Sequence, residues 1–242
     1  MMLSVCVVAD THCRHREITI PPCDLLIHCG DFCSFQRDDE RVLDDADIWF
    51  AESPASKVVC IGGNHDFMLQ RREFTFSHAT YLQDTSAEIH GLSIYGAPWC
   101  PDLSGFAFYA ADADLIDRWR AIPTGIDILV THTPPHGVLD LPSSGEPHLG
   151  CPHLCQELER IRPRLHVFGH VHASHGRSIE DGRHSINAAV VGGRELTVRH
   201  PPTMLQLPRA NRVEVTVLRL SALPHHPACG SAPIGSSQIT EL

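Results

Sequence analysis

Five short apolar runs recur along this chain, and each ends on residues that can ligate a metal. Leu3–Ala9 runs into Asp10-Thr11-His12, and Asp24–Cys29 into Gly30-Asp31. Lys57–Ile61 runs into Gly62-Gly63-Asn64-His65-Asp66. Asp127–Thr131 stops at His132, and Leu165–Phe168 at Gly169-His170-Val171-His172. Apolar runs this short, bounded by turn residues and rich in β-branched side chains, read as buried strands. Helical periodicity separates them. Val42, Ala46, Trp49 and Phe50 recur at i, i+4, i+7 and i+8 within residues 38–52. Leu115, Ile116, Trp119 and Ile122 share one face of residues 112–122, and Leu154, Leu158 and Ile161 one face of 151–161. Apolar stripes with that spacing predict amphipathic helices. Pro54 and Pro163 close the first and the third. Buried strands with intervening helices predict an α/β protein, whose ligands lie at the carboxyl ends of the strands.

The remaining segments read less regularly. Glu88–Tyr95 alternates as a strand and is turned by Gly96-Ala97-Pro98-Trp99. Residues 184–191 and 213–220 read as strands with no helix between them. The Pro- and Gly-rich loop from Thr133 to Gly150 is long enough to be functional rather than a mere connection. Residues 221–242, rich in Ser, Pro and Gly, are expected to be a disordered tail. No repeat and no second core is visible, so one domain over residues 1–220 is expected.

Composition limits the function classes. The formal net charge is −10 with no basic stripe, which disfavours nucleic acid as a partner. No run approaches the roughly 18 apolar residues a membrane span needs, and no leader pattern opens the chain. The ten cysteines contain no Cys-x-x-Cys pair; Cys29/Cys33 and Cys151/Cys155 are spaced poorly for a zinc knuckle. A reducing, cytoplasmic environment with mostly buried free thiols is the expectation. Histidine is the outlier, at 18 residues, several of them beside glycine and aspartate.

Asp10, His12, Asp31, Asn64, His132, His170 and His172 form a mixed nitrogen and oxygen donor set. Such a set suits manganese, iron or zinc better than calcium or magnesium alone. Seven donors are too many for one tetrahedral site, but two ions sharing one carboxylate would use them. Two ions about 3.5–4 Å apart clamp a phosphoryl group and acidify a water between them. His65 can exchange a proton near neutral pH, and Asp66 can orient it.

Taken in order, Asp10-x-His12, Gly30-Asp31, Gly63-Asn64-His65-Asp66, His132 and Gly169-His170-Val171-His172 resemble the full signature of the calcineurin-like metallophosphoesterases. Ala9-Asp10-Thr11-His12, Leu26–Phe32, Gly96-Ala97-Pro98-Trp99, His132–Gly137, Leu165–His172 and Ile186-Asn187-Ala188 narrow the likeness to the MPPED-like, class III cyclic nucleotide phosphodiesterase subgroup. It runs from about residue 3 to about residue 208; the segment after Asn187 looks longer than in the subgroup.

The resemblance implies a four-layer α-β-β-α sandwich of two mixed sheets. It implies one metal on Asp10, His12 and His172, a second on Asn64, His132 and His170, and Asp31 between them. Manganese is the first candidate for both ions, with iron or zinc as alternatives. His65 would protonate the leaving oxygen, with Asp66 holding its imidazole. A metal-bridging hydroxide would attack phosphorus in line. The substrate would be a small-molecule phosphate ester: a phosphodiester, cyclic nucleotides included, with a phosphomonoester, a phosphoprotein or a catalytically idle scaffold as alternatives. Subgroup members that have lost the first histidine of the last motif are poor enzymes; His170 is present here.

Other residues invite plainer readings. His28 and His166, inside apolar strands, read as hydrogen-bonded core histidines, and Cys29, Cys33, Cys151 and Cys155 as packing thiols. Trp99 and Phe106 read as packing rather than as a wall for a substrate ring. Arg14 and His136 are the substrate-contact candidates, each against an ordinary loop position.

Overall fold

The structure, a computed structural model, describes residues 2–34, 40–180, 182–208 and 216–218. In chain order the strands begin with β1 (Met2–Val8), β2 (Cys23–His28), β3 (Ala55–Cys60), β4 (Thr80–Tyr81), β5 (Thr85–Ile89), β6 (Leu92–Ala97) and β7 (Ile128–Thr131). They continue with β8 (Leu165–Phe168), β9 (Gly176–Glu180), β10 (Arg183–Asn187), β11 (Val191–Gly192), β12 (Thr197–Val198), β13 (Thr203–Pro208) and β14 (Thr216–Leu218). The α-helices are α1 (Glu40–Glu52), α2 (Phe67–Gln70), α3 (Asp112–Ala121) and α4 (Pro152–Ile161).

Alternation along the strands sets the layers. Leu3, Val5 and Val7 join Leu25, Ile27, Val59, Ile94, Ile128, Val130 and Val167 in one buried cluster between the two sheets. Cys6, Val8, Leu26 and Cys60 point the other way, into a cluster that also holds Leu43, Trp49 and Phe50 of α1. On the second sheet Tyr95 and Leu129 join Leu115 and Trp119 of α3 and Leu154 and Leu158 of α4 in that cluster. Both faces of each sheet are therefore apolar, and a one-residue slip would exchange the two sets. Each fully buried aliphatic side chain stabilises the stack by about 1.5–3 kcal/mol. The result is the four-layer α-β-β-α sandwich.

One sheet runs β14-β13-β1-β2-β3-β4 and the other β5-β6-β7-β8-β10-β9. In each, four neighbouring strands are parallel; antiparallel β13 borders the first set on one side, and antiparallel β5 and β9 border the second on both, so both sheets are mixed. β1, β2, β3, β7 and β8 deliver all five motif-bearing ends to one side. There the sheets touch: Ala9 N–H donates to Ala188 O at 2.9 Å, and Val190 N–H to Ala9 O at 3.0 Å.

Two strand readings are revised. Glu88–Tyr95 is two strands: His90 and Gly91, both at positive φ (55° and 77°), form a two-residue turn pairing β5 with β6 at Ile89 and Leu92. Such a turn demands left-handed backbone at both positions. The turn sets Ile89 opposite Leu92, so the inward-facing positions change from odd to even numbers across it, a shift too short to show within eight residues. Residues 184–191 divide into β10 and the start of β11, because Ala188–Val190 turn aside to bond Ala9. Of residues 213–220 the described part is β14, which adds to β13. The tail, 221–242, lies outside the described residues.

Candidate metal centre

Left-handed backbone turns the ends of β1, β2 and β8. Asp10, His12, Asp31 and His170 adopt φ of 55°, 39°, 60° and 69°. A non-glycine residue held there costs about 1–3 kcal/mol and persists only where its surroundings fix it. They are fixed here by backbone bonds between the loops. Asp10 N–H donates to Gly30 O at 2.9 Å, His12 N–H to Asp31 O at 3.1 Å and Gly169 N–H to His132 O at 3.1 Å. Gly169 also allows a close approach: a Cβ there would lie 2.2 Å from Asp10 Oδ2.

All seven donors converge. Asp31 Oδ2 lies 3.6 Å from His12 Nε2 and 3.3 Å from His132 Nε2. His172 Nε2 lies 3.5 Å from Asp10 Oδ1 and 3.2 Å from His12 Nε2. Asn64 Oδ1 lies 2.9 Å from both His132 Nε2 and His170 Nδ1. The groups Asp10/His12/His172 and Asp10/Asp31/His132 each place one donor atom per residue within 4.8 Å of the others. Asp31 thus reaches ligands on both sides.

Partners behind the donors aim them. His12 Nδ1 donates to the Cys33 carbonyl and His132 Nδ1 to the Cys29 carbonyl, both at 2.8 Å. A carbonyl only accepts, so Nε2 of each ring is the nitrogen turned to the centre. His170 N–H donates to the Asp10 carboxylate at 3.0 Å, and His65 N–H to Asp31 Oδ1 at 2.9 Å.

Charge follows the same plan. Burial opposes ionisation of Asp31, but the charges of His132 and His65 hold its carboxyl well below the usual range. Asp10 is likewise lowered against burial, by the hydrogen bond and charge of His172. Burial pushes His12 down to about 4 and His170 to about 3, so both rings are neutral. His132 is raised to about 9, against burial, by Asp31. Two ionised carboxylates that raise the neighbouring His132 and His172 mark a buried site that calls for positive charge, which metal ions would supply in place of those protons. The donor set therefore fits two metal ions.

His65 stands at the rim. Its ring packs edge-on to His12 at 5.0 Å and to Phe106 at 5.4 Å, with Nε2 3.9 Å from Asp31 Oδ2. Asp66 takes a different place from the one its neighbour suggests. Oδ2 accepts from the amides of Asp31 (2.9 Å), Gly63 (2.8 Å) and Phe32 (3.3 Å), and Oδ1 from Cys33 (3.0 Å). The carboxylate is committed to the backbone of two ligand loops rather than to the His65 ring. Burial and the Asp31 charge push it up to about 7, against those amides.

Of the substrate-contact candidates, Arg14 pairs with Glu17 at 2.8 Å and reaches the Glu195 carbonyl at 3.4 Å. His136 is exposed and its ring sits 4.9 Å from that of His148. Neither lies among the ligands. The loop that carries His136 is organised by buried Asp140, which accepts from the amides of Gly137 and Gly150 and from His148 Nδ1. Trp99 packs: its indole donates to Asp84, and the Arg118 guanidinium covers the ring at 3.3 Å. His28 and His166 are core histidines bonded to Thr11 and Thr131, both pushed down to about 3 by burial. Cys100, which sequence reasoning missed, lies within 4.8 Å of donor nitrogens of His132 and His170. Its only signal was its place just after Gly96-Ala97-Pro98-Trp99.

The calcineurin-like phosphoesterase family model matches residues 3–174. The human "Metallophosphoesterase domain-containing protein 1" is 33% identical over 233 residues, covering 84% of this chain and 70% of that protein. A UPF0046 protein of Caenorhabditis elegans is 32% identical over 227 residues, covering 86% and 76%. The solved phosphopantetheinyl hydrolase of Mycobacterium tuberculosis shares the fold at 18% identity, with a TM-score of 0.51 over 77% of this chain and 89% of that one. Among the described residues no helix is long and apolar enough to cross a membrane. With its motif set, its two mixed sheets and these relatives, the chain belongs to the calcineurin-like phosphoesterase family.

Proposed function

We propose that this protein is a dinuclear metal-dependent phosphoesterase that prefers small-molecule phosphodiesters, cyclic nucleotides among the candidates. The observation that carries the reading is the convergence of seven donors from five strand ends, with His65 at their rim. Asp10, His12 and His172 would hold one ion and Asn64, His132 and His170 the other, with Asp31 shared. Manganese is the first candidate, with iron or zinc behind it. Two such ions, when bound, neutralise the phosphoryl oxygens and supply an acidified water.

This chain's own residues do the rest. The amides of His65 and His170 fix the Asp31 and Asp10 carboxylates, so the donors need little reorganisation. His65 Nε2, beside the shared carboxylate, carries the proton that the leaving oxygen takes. Phe106 packs against that ring and limits its swing. The diester preference rests on the likeness to the class III cyclic nucleotide phosphodiesterase subgroup. The cytoplasm is the proposed location, in keeping with the lack of any disulfide among the described cysteines.

The test is hydrolysis of bis(p-nitrophenyl) phosphate against p-nitrophenyl phosphate after chelation and reloading with manganese, with metal content measured alongside. Metal-dependent turnover of the diester supports the reading. Preference for the monoester moves the assignment to a phosphatase. Two bound metals with no turnover of either ester would favour a metal-binding scaffold.

A further inference from the structure

Cys100 lies on the loop after β6, and its residue is fully buried. Its sulfur and one ring nitrogen each of His132 and His170 lie within 4.8 Å of one another. The phosphoesterase reading needs no thiol at this point. The backbone nevertheless holds one there. Cys100 N–H donates to Phe108 O at 2.9 Å, and Ala110 N–H to Cys100 O at 3.2 Å. Ala107 N–H donates to Asn64 O at 2.9 Å, so the loop that carries the thiol is stitched to the loop that carries a ligand. The thiol itself makes a long contact with the Pro98 carbonyl, 3.8 Å. Donor atoms around a tetrahedral zinc lie about 3.3–3.8 Å apart, given Zn–N near 2.0 Å and Zn–S near 2.3 Å. The Cys100/His132/His170 triangle needs only a modest contraction to reach that size.

We propose that Cys100 ligates the metal held by Asn64, His132 and His170, and that its sulfur makes this position prefer zinc, or another thiophilic ion, over manganese. The inference rests on the two-metal reading above and deepens it: the two positions would differ in metal preference. Sulfur is a soft donor, whereas the Asp10/His12/His172 side offers only carboxylate and imidazole. On binding, the Sγ–H bond breaks, sulfur bonds the metal, and the proton leaves to solvent with no change of oxidation state.

The test titrates the chelated full chain with Co²⁺ and records its absorption. Visible d–d bands count the bound cobalt, and a near-ultraviolet charge-transfer band reports sulfur on cobalt. The expected result is two bound cobalt ions, one of which brings the charge-transfer band. That band should vanish in Cys100→Ser and persist in Cys13→Ser, which replaces the exposed cysteine next to His12. In zinc–manganese competition, Cys100→Ser should lose about 10–100-fold of the zinc preference at one site. Should the variant fail to fold, ¹¹³Cd NMR of the unaltered protein reads the same ligand, because sulfur moves one cadmium resonance far downfield. Two bound cobalt ions without the band, or a band unchanged in Cys100→Ser, overturn the inference and spare the two-metal reading. Fewer than two bound cobalt ions overturn that reading, and the inference with it.

Discussion

Replacing Asp66 by asparagine separates two roles that sequence alone leaves together. In the structure its carboxylate accepts four backbone amides, three on Oδ2 and one on Oδ1. Asparagine has one acceptor oxygen. With that oxygen in the Oδ2 position, three bonds survive in weaker, uncharged form, and the new NH₂ faces the Cys33 N–H. At about pH 8, above the value of about 7 to which Asp66 is raised, a hydrogen bond to its charged form contributes about 1.5–3 kcal/mol, and a stranded buried donor costs about 1–3 kcal/mol. The expected destabilisation is about 2–4 kcal/mol, which for a chain of this size lowers Tm by roughly 5–15 °C. Thermal unfolding of the chelated protein, followed by circular dichroism, measures it. Because the four amides belong to the Asp31 and Asn64 loops, metal affinity should also fall, by about 10–100-fold. A variant with unchanged Tm and full metal content but depressed kcat would refute this reasoning and return Asp66 to the His65 ring.

His65→Ala should lower kcat by about 10²–10⁴-fold while elemental analysis still finds two metals, since the ring is placed as a proton donor and not as a ligand. Gly169→Ala would put a methyl 2.2 Å from Asp10 Oδ2, so the variant should lose metal from the Asp10/His12/His172 side, measured by the stoichiometry of zinc binding. His28 and His166 are buried neutral, with pKa near 3, below the usual 6.5. A lowered histidine pKa stabilises the fold fully above about pH 6.5, and that contribution is lost as pH falls toward 3. The Tm of the chelated protein should therefore drop steadily from pH 6.5 downward, and a flat profile to pH 4.5 would contradict the neutral core histidines.

What the chain determines by itself is local. Strand runs such as Leu3–Ala9 and Leu165–Phe168 are legible because side-chain alternation and burial leave their mark residue by residue. The ligands Asp10, Asp31, Asn64, His132 and His170 are legible because a strand that enters a site must end on the residue it delivers. The turn at His90-Gly91 is not legible because it shifts the inward-facing positions by one within a stretch of few residues, and β13 is a short run set between prolines. The tertiary structure alone decided which strands are neighbours, and so which donors share a metal. Asp10 and His172 meet at 3.5 Å although 162 positions separate them, because β1 and β8 lie in different sheets that touch through Ala9 and Ala188. The same holds for Asp66 and Cys100. No periodicity marks a carboxylate that gathers amides from two loops, or a thiol that another loop brings to two histidines. Such contacts depend on long-range packing, which no window of neighbouring residues encodes.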